Sequence, residues 1–372
     1  APSLGIGQGQ GWTVANNPRY LVDVTGDGFP DLVGIVNQPN VIGVLVNDGN
    51  GNFQPMKTWR ANGRVTASHI RHFIDFDGDG ILDILSFHDG IHVSLKANKP
   101  TKIHSFIDSY ENRRNVEYIS QSAAVKQNIY SKSEEPLKYR ILEPIDSLYL
   151  VKALSLHTNR DVFVYSTEYL YSAFKYDLFG RGGLGFSHIK QIHSNNITTE
   201  SFYHQEYPLV ATEYQTLLHA ANNKFDKVTV SNVTKEYATQ FSKFTDKVVK
   251  IVVKKETKTL SELNTGAVVT RSVTIFSDFD SFRNPQITNL KMYDQSGELL
   301  HMKETQNKYQ YYFENWIHGV VVSTKVVHET TNCTRVVRSV GYQYDKNTGD
   351  LVTETMEPGY ELSLTTKYEY DK

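Results

Sequence analysis

The chain has 372 residues, enough for about two or three domains with a substantial core. Charged residues make up 22% and the formal net charge is −2, so no global basic field points to nucleic acid or an anionic membrane. The single cysteine, Cys333, excludes an intramolecular disulfide framework and any cysteine-based zinc site.

Tyr (23) and Phe (18) are abundant while Met (4) is scarce, a balance that suits β-sheet surfaces better than helix bundles. No apolar run reaches the about 18 residues of a transmembrane helix. The N-terminal stretch ending at Trp12 has neither a basic segment nor an apolar core, so it does not read as a signal peptide. It also lacks an initiator Met, and the chain reads as a processed piece or a fragment of something longer.

The first element is a loop that recurs. Asp23-Val-Thr-Gly-Asp-Gly-Phe-Pro-Asp31 returns 52 residues later as Asp75-Phe-Asp-Gly-Asp-Gly-Ile-Leu-Asp83. Each copy sets side-chain oxygens at loop positions 1, 3, 5 and 9: Asp23, Thr25, Asp27 and Asp31, then Asp75, Asp77, Asp79 and Asp83. The backbone carbonyls of Phe29 and Ile81 are available at position 7. Calcium takes six to eight oxygens, and such a loop supplies them by curling round the ion. Gly26, Gly28, Gly78 and Gly80 allow that curl. An EF-hand would add Glu at position 12 between helices; these copies have Gly34 and Ser86 there, between strand-like flanks. Four carboxylates in nine residues repel one another without a counter-ion, so the second loop is expected to hold calcium as a structural ion. Thr25 is a weaker ligand, and the first site is expected to bind less tightly.

Short apolar strands lead into and out of each loop, and Asn47-Asp-Gly-Asn-Gly-Asn-Phe53 carries the Asp-Gly and Asn-Gly pairs of tight hairpins. Four short strands per roughly 50 residues is the size of a β-propeller blade. Residues 98–160 carry charge clusters, with a strand expected between Leu142 and Leu154. Next, Gly180-Arg-Gly-Gly-Leu-Gly185 predicts a tight turn; its bare G-x-G-x-x-G lacks a βαβ setting for a dinucleotide. From about residue 225 the chain alternates almost continuously, giving strands at Lys227–Ser231, Val248–Val253, Val268–Phe276, Gly319–Val327 and Thr334–Val340. The one helix expected is Tyr214–Asn223. Tyr342-Gln-Tyr-Asp345 with a following Gly349 returns 26 residues later as Tyr368-Glu-Tyr-Asp371, and Met292-Tyr-Asp-Gln-Ser-Gly-Glu-Leu299 is an earlier relative. Stacked hairpins of this kind make a long sheet.

These motifs carry a resemblance. The aspartate loops and their strands resemble FG-GAP/VCBS repeats, calcium-binding propeller blades. The Tyr-Asp hairpins resemble Rhs/YD repeats, as do Asp278-Phe-Asp-Ser-Phe-Arg-Asn-Pro285, Asn315-Trp-Ile-His-Gly319 and Thr353-Glu-Thr-Met-Glu-Pro-Gly359. Gly180-Arg-Gly-Gly-Leu-Gly-Phe186 and His204-Gln-Glu-Tyr-Pro208 are similar to markers of the middle region of SpvB/TcdB-type toxins. The order matches the B components of Tc toxin complexes. Three departures bear on turn geometry: Gly183 stands for a bulky Phe, Arg283 for a turn Gly, and Glu111-Asn-Arg-Arg114 for a Gly-rich turn.

The resemblance implies an all-β chain: two FG-GAP/VCBS blades of a partial β-propeller (1–97), an SpvB/TcdB-type middle region (98–224) and β-hairpins leading into a YD-repeat shell (225–372). It implies a secreted, non-enzymatic toxin scaffold. The shell would enclose a cytotoxic C-terminal component and the propeller would dock to a pore-forming translocation component, with no nucleic acid and no membrane span. The alternative is a calcium-dependent adhesin- or lectin-like propeller. No Gly-x-Ser-x-Gly elbow or HExxH helix supports an enzyme, and His188 and His193 are expected as surface or sheet histidines. Cys333 has no activating helix N-terminus. Trp12 and Trp316 are expected as core or sheet-face aromatics. Asn196, Asn232 and Asn332 open glycosylation sequons.

Overall fold

The computed structural model describes residues 18–25, 29–35, 41–50, 52–60, 70–74, 82–87, 91–96, 102–145, 148–179, 181–224, 226–241, 249–331 and 335–371. The chain divides into two compact units, Ala1–Leu178 and Phe179–Lys372. Among the described residues, both are built mainly from strands.

In the first unit, β1 (Arg19–Val22), β2 (Asp31–Ile35), β3 (Val41–Leu45) and β4 (Lys57–Arg60) form an antiparallel meander, the four-stranded blade expected of the first repeat. β5 (Ile70–Ile74), β6 (Asp83–Phe87) and β7 (Ile91–Lys96) repeat its first three strands. Alternation decides which side is buried. Val33 and Ile35 on β2 lie opposite Val44 and Ile42 on β3, so their side chains share one face. With Val24 and Ile84 they form a core no more than 1% exposed, against which Tyr20, Trp59 and Phe73 pack. Ile84 and Phe73 come from the second repeat, so the two repeats share this core, and the Tyr20 and Phe73 rings meet at 4.9 Å. Each fully buried aliphatic side chain contributes roughly 1.5–3 kcal/mol.

The same unit continues with β8 (Ser105–Ile107), β9 (Arg113–Ser120), α1 (Gln121–Lys126), β10 (Tyr130–Ser131), β11 (Ile141–Leu142), β12 (Tyr149–His157), β13 (Phe163–Ser172) and β14 (Lys175–Asp177). α1 was not foreseen. It is one and a half turns started by Ser120, whose hydroxyl accepts from the Ala123 N–H at 3.3 Å. Glu143 fastens the region by accepting from the Tyr130 hydroxyl (3.0 Å) and the Ser133 N–H (2.9 Å). Burial pushes the Tyr130 hydroxyl up to about 12, the Glu143 contact adding to the effect.

The second unit opens with β15 (Gly182–Gly185). It runs on as an antiparallel meander of β16 (His188–His193), β17 (Thr198–Tyr203), β18 (Glu213–Ala221), β19 (Lys227–Phe241), β20 (Val249–Ser261) and β21 (Val268–Phe279), then β22 (Pro285–Tyr293), β23 (Leu299–Tyr312), β24 (Ile317–Thr330), β25 (Arg335–Tyr344), β26 (Leu351–Met356) and β27 (Leu364–Lys367). The alternating segments from residue 225 are strands throughout their described residues, longer than the pattern predicts; Val248 and Thr334 lie outside the described residues. Most of their residues are half-buried on both faces, so this unit is a single layer of sheet stabilised by cross-strand pairs.

One expectation is corrected and another refined. Tyr214–Asn223 is not a helix: Glu213–Ala221 is β18, laddered to β17 and β19. A ten-residue helix is marginal alone, whereas the strand satisfies its backbone on both sides. In the glycine-rich stretch Arg181 lies in the expected turn, and Gly182–Gly185 runs on from it as the short strand β15, with positive φ at Gly182 (72°) and Gly185 (78°). Leu184 is buried there and Gly183 is exposed, so the missing bulky side chain leaves no hole in the core. The two middle-region motifs also meet. Gln205 Nε2 donates to the Gly185 carbonyl at 2.7 Å, and the Arg181 guanidinium lies 3.4 Å over the Tyr207 ring.

One turn device recurs. At Asp108, Asp280 and Asp294 a strand-end aspartate accepts through Oδ1 from the N–H two residues on and the N–H four residues on. Asp48 does the same in the first blade, and Asn222 in the second unit. The residue three after the aspartate takes positive φ: Glu111 (63°), Arg283 (74°) and Gly297 (88°). This is the three-residue hairpin loop of a type I turn plus a left-handed residue. Glu111 and Arg283 therefore keep the turn geometry that their replacement of glycine put in question.

Candidate functional site

The aspartate loops close alike. Val22 pairs with Asp31 at the foot of the first loop and Ile74 with Asp83 at the foot of the second. Both aspartates are fully buried. Asp31 Oδ2 accepts from the Val24 and Thr25 N–H groups and the Thr25 hydroxyl, each at 3.1 Å, while Oδ1 accepts from the Asn47 N–H at 2.9 Å. The Thr25 hydroxyl also lies 3.4 Å from Asp23 Oδ1. Position 9 thus ties the loop to the next hairpin. Asp23 and Thr25 bring two oxygens together, as a cation site requires, but Asp31 spends most of its acceptor capacity on the chain itself. The Phe29 ring lies against Gly49, where a Cβ would come within 2.8 Å of it, and Gly49 has φ +77°. Asp27, Asp75, Asp77, Asp79 and Ile81 lie outside the described residues. Among the described residues no group of three His, Cys, Asp or Glu side chains is set to hold a metal ion, and no helix is long and apolar enough to cross a membrane.

A second polar centre escaped the motif reading. On one face of β16–β19, Glu200 receives Lys227 Nζ (2.7 Å) and Lys190 Nζ (3.5 Å) on Oε1. His219 Nε2 lies 3.5 Å from Oε1 and His188 Nε2 3.2 Å from Oε2. Those two contacts are within ion-pair range but off hydrogen-bond geometry, and both Nε2 atoms are buried without a hydrogen-bond partner. The His188 ring stacks on Phe202 at 4.5 Å, and His219 Nδ1 is 2.9 Å from the Thr229 hydroxyl. Burial pushes the Glu200 carboxyl up, but the Lys227 hydrogen bond and the charges of Lys190 and Lys227 overcome it and bring it down to about 2. Burial pulls both histidines below their ordinary value; Glu200 opposes this, and Lys190 and Lys227 add to it. Two ammonium groups on the carboxylate make this a charge cluster and disfavour a cation there.

A third feature is aromatic. At the ends of the β21–β22 and β23–β24 hairpins, Phe282 stacks on Tyr311 (4.6 Å) and His318 (5.2 Å), and Phe313 on Tyr311 (5.9 Å). Trp316 borders the stack with φ 56° and is 85% exposed, neither core nor sheet-face as expected.

With this geometry in place, a family described as FG-GAP-like repeat matches residues 23–86, a span that takes in both aspartate loops. No curated protein sequence matches the chain. Among solved structures the chain is similar to TcdB2-TccC3 without its hypervariable C-terminal region, with a TM-score of 0.61 and 12% identity over 91% of this chain and 22% of that one. It is similar to TcdB2-TccC3 itself, at TM-score 0.61 and 13% identity with the same coverage. A Photorhabdus luminescens Tc holotoxin pore carrying a TccC3 mutation gives TM-score 0.60 and 13% identity over 91% of this chain and 22% of that one. At this identity the likeness establishes the fold. The chain spans about a fifth of those solved chains.

Proposed function

We propose that this chain is a non-catalytic scaffold segment of a secreted Tc-type toxin: part of the β-shell around a cytotoxic C-terminal component, joined to propeller blades that dock on a pore-forming translocation component. The observation that carries the reading is the run of antiparallel strands from β16 to β27 in a single layer, placed after a blade core with FG-GAP-type loops. A single-layer sheet with both faces half-exposed suits a wall between two compartments, because neither face is given over to a closed core. The likeness to TcdB2-TccC3 structures across 91% of the chain supports the same role. Calcium in the two aspartate loops would brace the blades through Asp23, Thr25 and Asp27 in one and Asp75, Asp77 and Asp79 in the other.

The test is co-assembly. The chain is mixed with a Tc-type pore component, and separately with a C-terminal toxin component, and each mixture is passed through size-exclusion chromatography. Co-elution with at least one of them at concentrations on the order of micromolar is expected. Elution of the chain alone in both mixtures overturns the reading.

A further inference from the structure

We propose that Glu200, His188, His219, Lys190 and Lys227 form an acid-sensitive latch that holds β16, β17, β18 and β19 together at neutral pH and loosens them when the two histidines take up protons. The inference does not depend on the toxin reading. The cluster is assembled by register. Lys190 lies directly opposite Glu200, and His219 opposite Thr198, one same-face step along β17. The β18–β19 ladder shifts between Leu218 and His219, pairing His219 with Thr229 and leaving Val230 over. That bulge turns Thr229 and Lys227 onto the face that holds His219. Four consecutive strands thereby converge on one carboxylate that is 14% exposed.

The charge count shows why protons disrupt it. With neutral histidines, one carboxylate faces two ammonium groups. With both rings protonated, four cations face it. A carboxylate has about four lone-pair sites, and Lys227 already holds the closest contact. Among the described residues, the charged groups that act on the two rings are Glu200 on β17, Lys190 on β16 and Lys227 on β19, and no second carboxylate there offsets the added charge. Both rings are largely enclosed, His188 against Phe202 and His219 against Thr229, and although Glu200 favours the charged rings, its Oε1 is already shared by Lys227 and Lys190. Burial, like the two ammonium groups, disfavours the charged ring in the folded strands.

The sign follows. A histidine whose folded midpoint lies below its unfolded value of 6.5 leaves stability complete above about pH 6.5. That stability is lost as pH falls below this value. Glu200, lowered from 4.5 to about 2, adds its own loss only below about pH 4.5, so the histidines act alone in the interval between.

The experiment is hydrogen–deuterium exchange of the whole chain at about pH 7.5 and about pH 5.5, corrected for intrinsic amide chemistry, on the native protein and on His188→Gln/His219→Gln. The native protein is expected to exchange faster at the lower pH in β17–β19. The increase is about fivefold for each histidine whose folded midpoint lies one unit below its unfolded one, with the histidine-free β21–β22 pair unchanged. The double variant is expected to show no such regional change. Equal protection of β17–β19 at both pH values in the native protein overturns the proposal, as does acid loosening that survives in the double variant. If the double variant does not fold, NMR titration of the two native rings decides: midpoints below 6.5 support the latch, and midpoints at or above 6.5 overturn it.

Discussion

Asp31 is fully buried and its carboxylate takes four hydrogen bonds, three of them from backbone N–H groups. Removing it strands those donors in the interior, a loss of about 3 kcal/mol. Thermal melts in EDTA are therefore expected to show Asp31→Ala strongly destabilised with no calcium present. A deficit that appears only when calcium is added would make Asp31 a ligand first and a strut second. The calcium proposal has its own signature. The second loop has carboxylates at positions 1, 3 and 5, where the first has Thr25 at position 3, and affinity follows ligand charge. Calorimetry is expected to show Asp79→Ala reducing calcium binding more than Thr25→Ala. No heat of binding at about millimolar calcium removes the ion from both loops.

At the scale of the element, the hairpin turns set side-chain capping against backbone strain. The left-handed position three after the strand-end aspartate is occupied by Gly297 in one hairpin, and by Glu111 and Arg283 in two others. A side chain in that conformation costs about 1 kcal/mol. Glu111→Gly and Arg283→Gly are accordingly expected to raise the urea midpoint, each by about 1 kcal/mol of stability, and Gly297→Ala to lower it by a similar amount. Gly319→Ala is expected to do worse, since its Cβ would stand 2.9 Å from Asn284 Nδ2 at a φ of +75°. Unchanged midpoints for the two glycine variants would mean that the turns carry no such strain. The hairpins with Tyr-Asp and a glycine were legible in the sequence, because the strand end, the capping carboxylate and the left-handed residue all leave a mark. Those at Glu111 and Arg283 were doubtful, because there the carboxylates of Asp108 and Asp280 and the flanking ladders impose a conformation that the residue itself disfavours. α1 left no periodicity in six residues, and β18 was misread because Tyr214–Asn223 mixes both periods until its two neighbours settle it.

At the scale of the whole molecule, what was illegible is what register brings together. His188, Lys190, Glu200, His219 and Lys227 are spread over forty residues with no motif spacing, and they meet because three successive ladders and one bulge place them on one face. A meander of this kind is joined only through adjacent strands, so its stability approximates a sum of nearest-neighbour terms. β22 is laddered to β21 and β23, and Thr288 sits in the middle of both ladders, opposite Phe276 and Thr305. Proline there removes a ladder hydrogen bond and fixes φ away from the strand value. Hydrogen exchange of Thr288→Pro is expected to show β21–β23 deprotected and β24 partly so. The first-unit core of Val33, Ile35, Ile42 and Val44 is expected to keep its native protection, having its own buried interior. β27, whose residues are all exposed, is expected to exchange fastest in both proteins. If the proline instead deprotects that core together with the meander, the two compact units fold as one cooperative block and the nearest-neighbour description of the sheet is wrong.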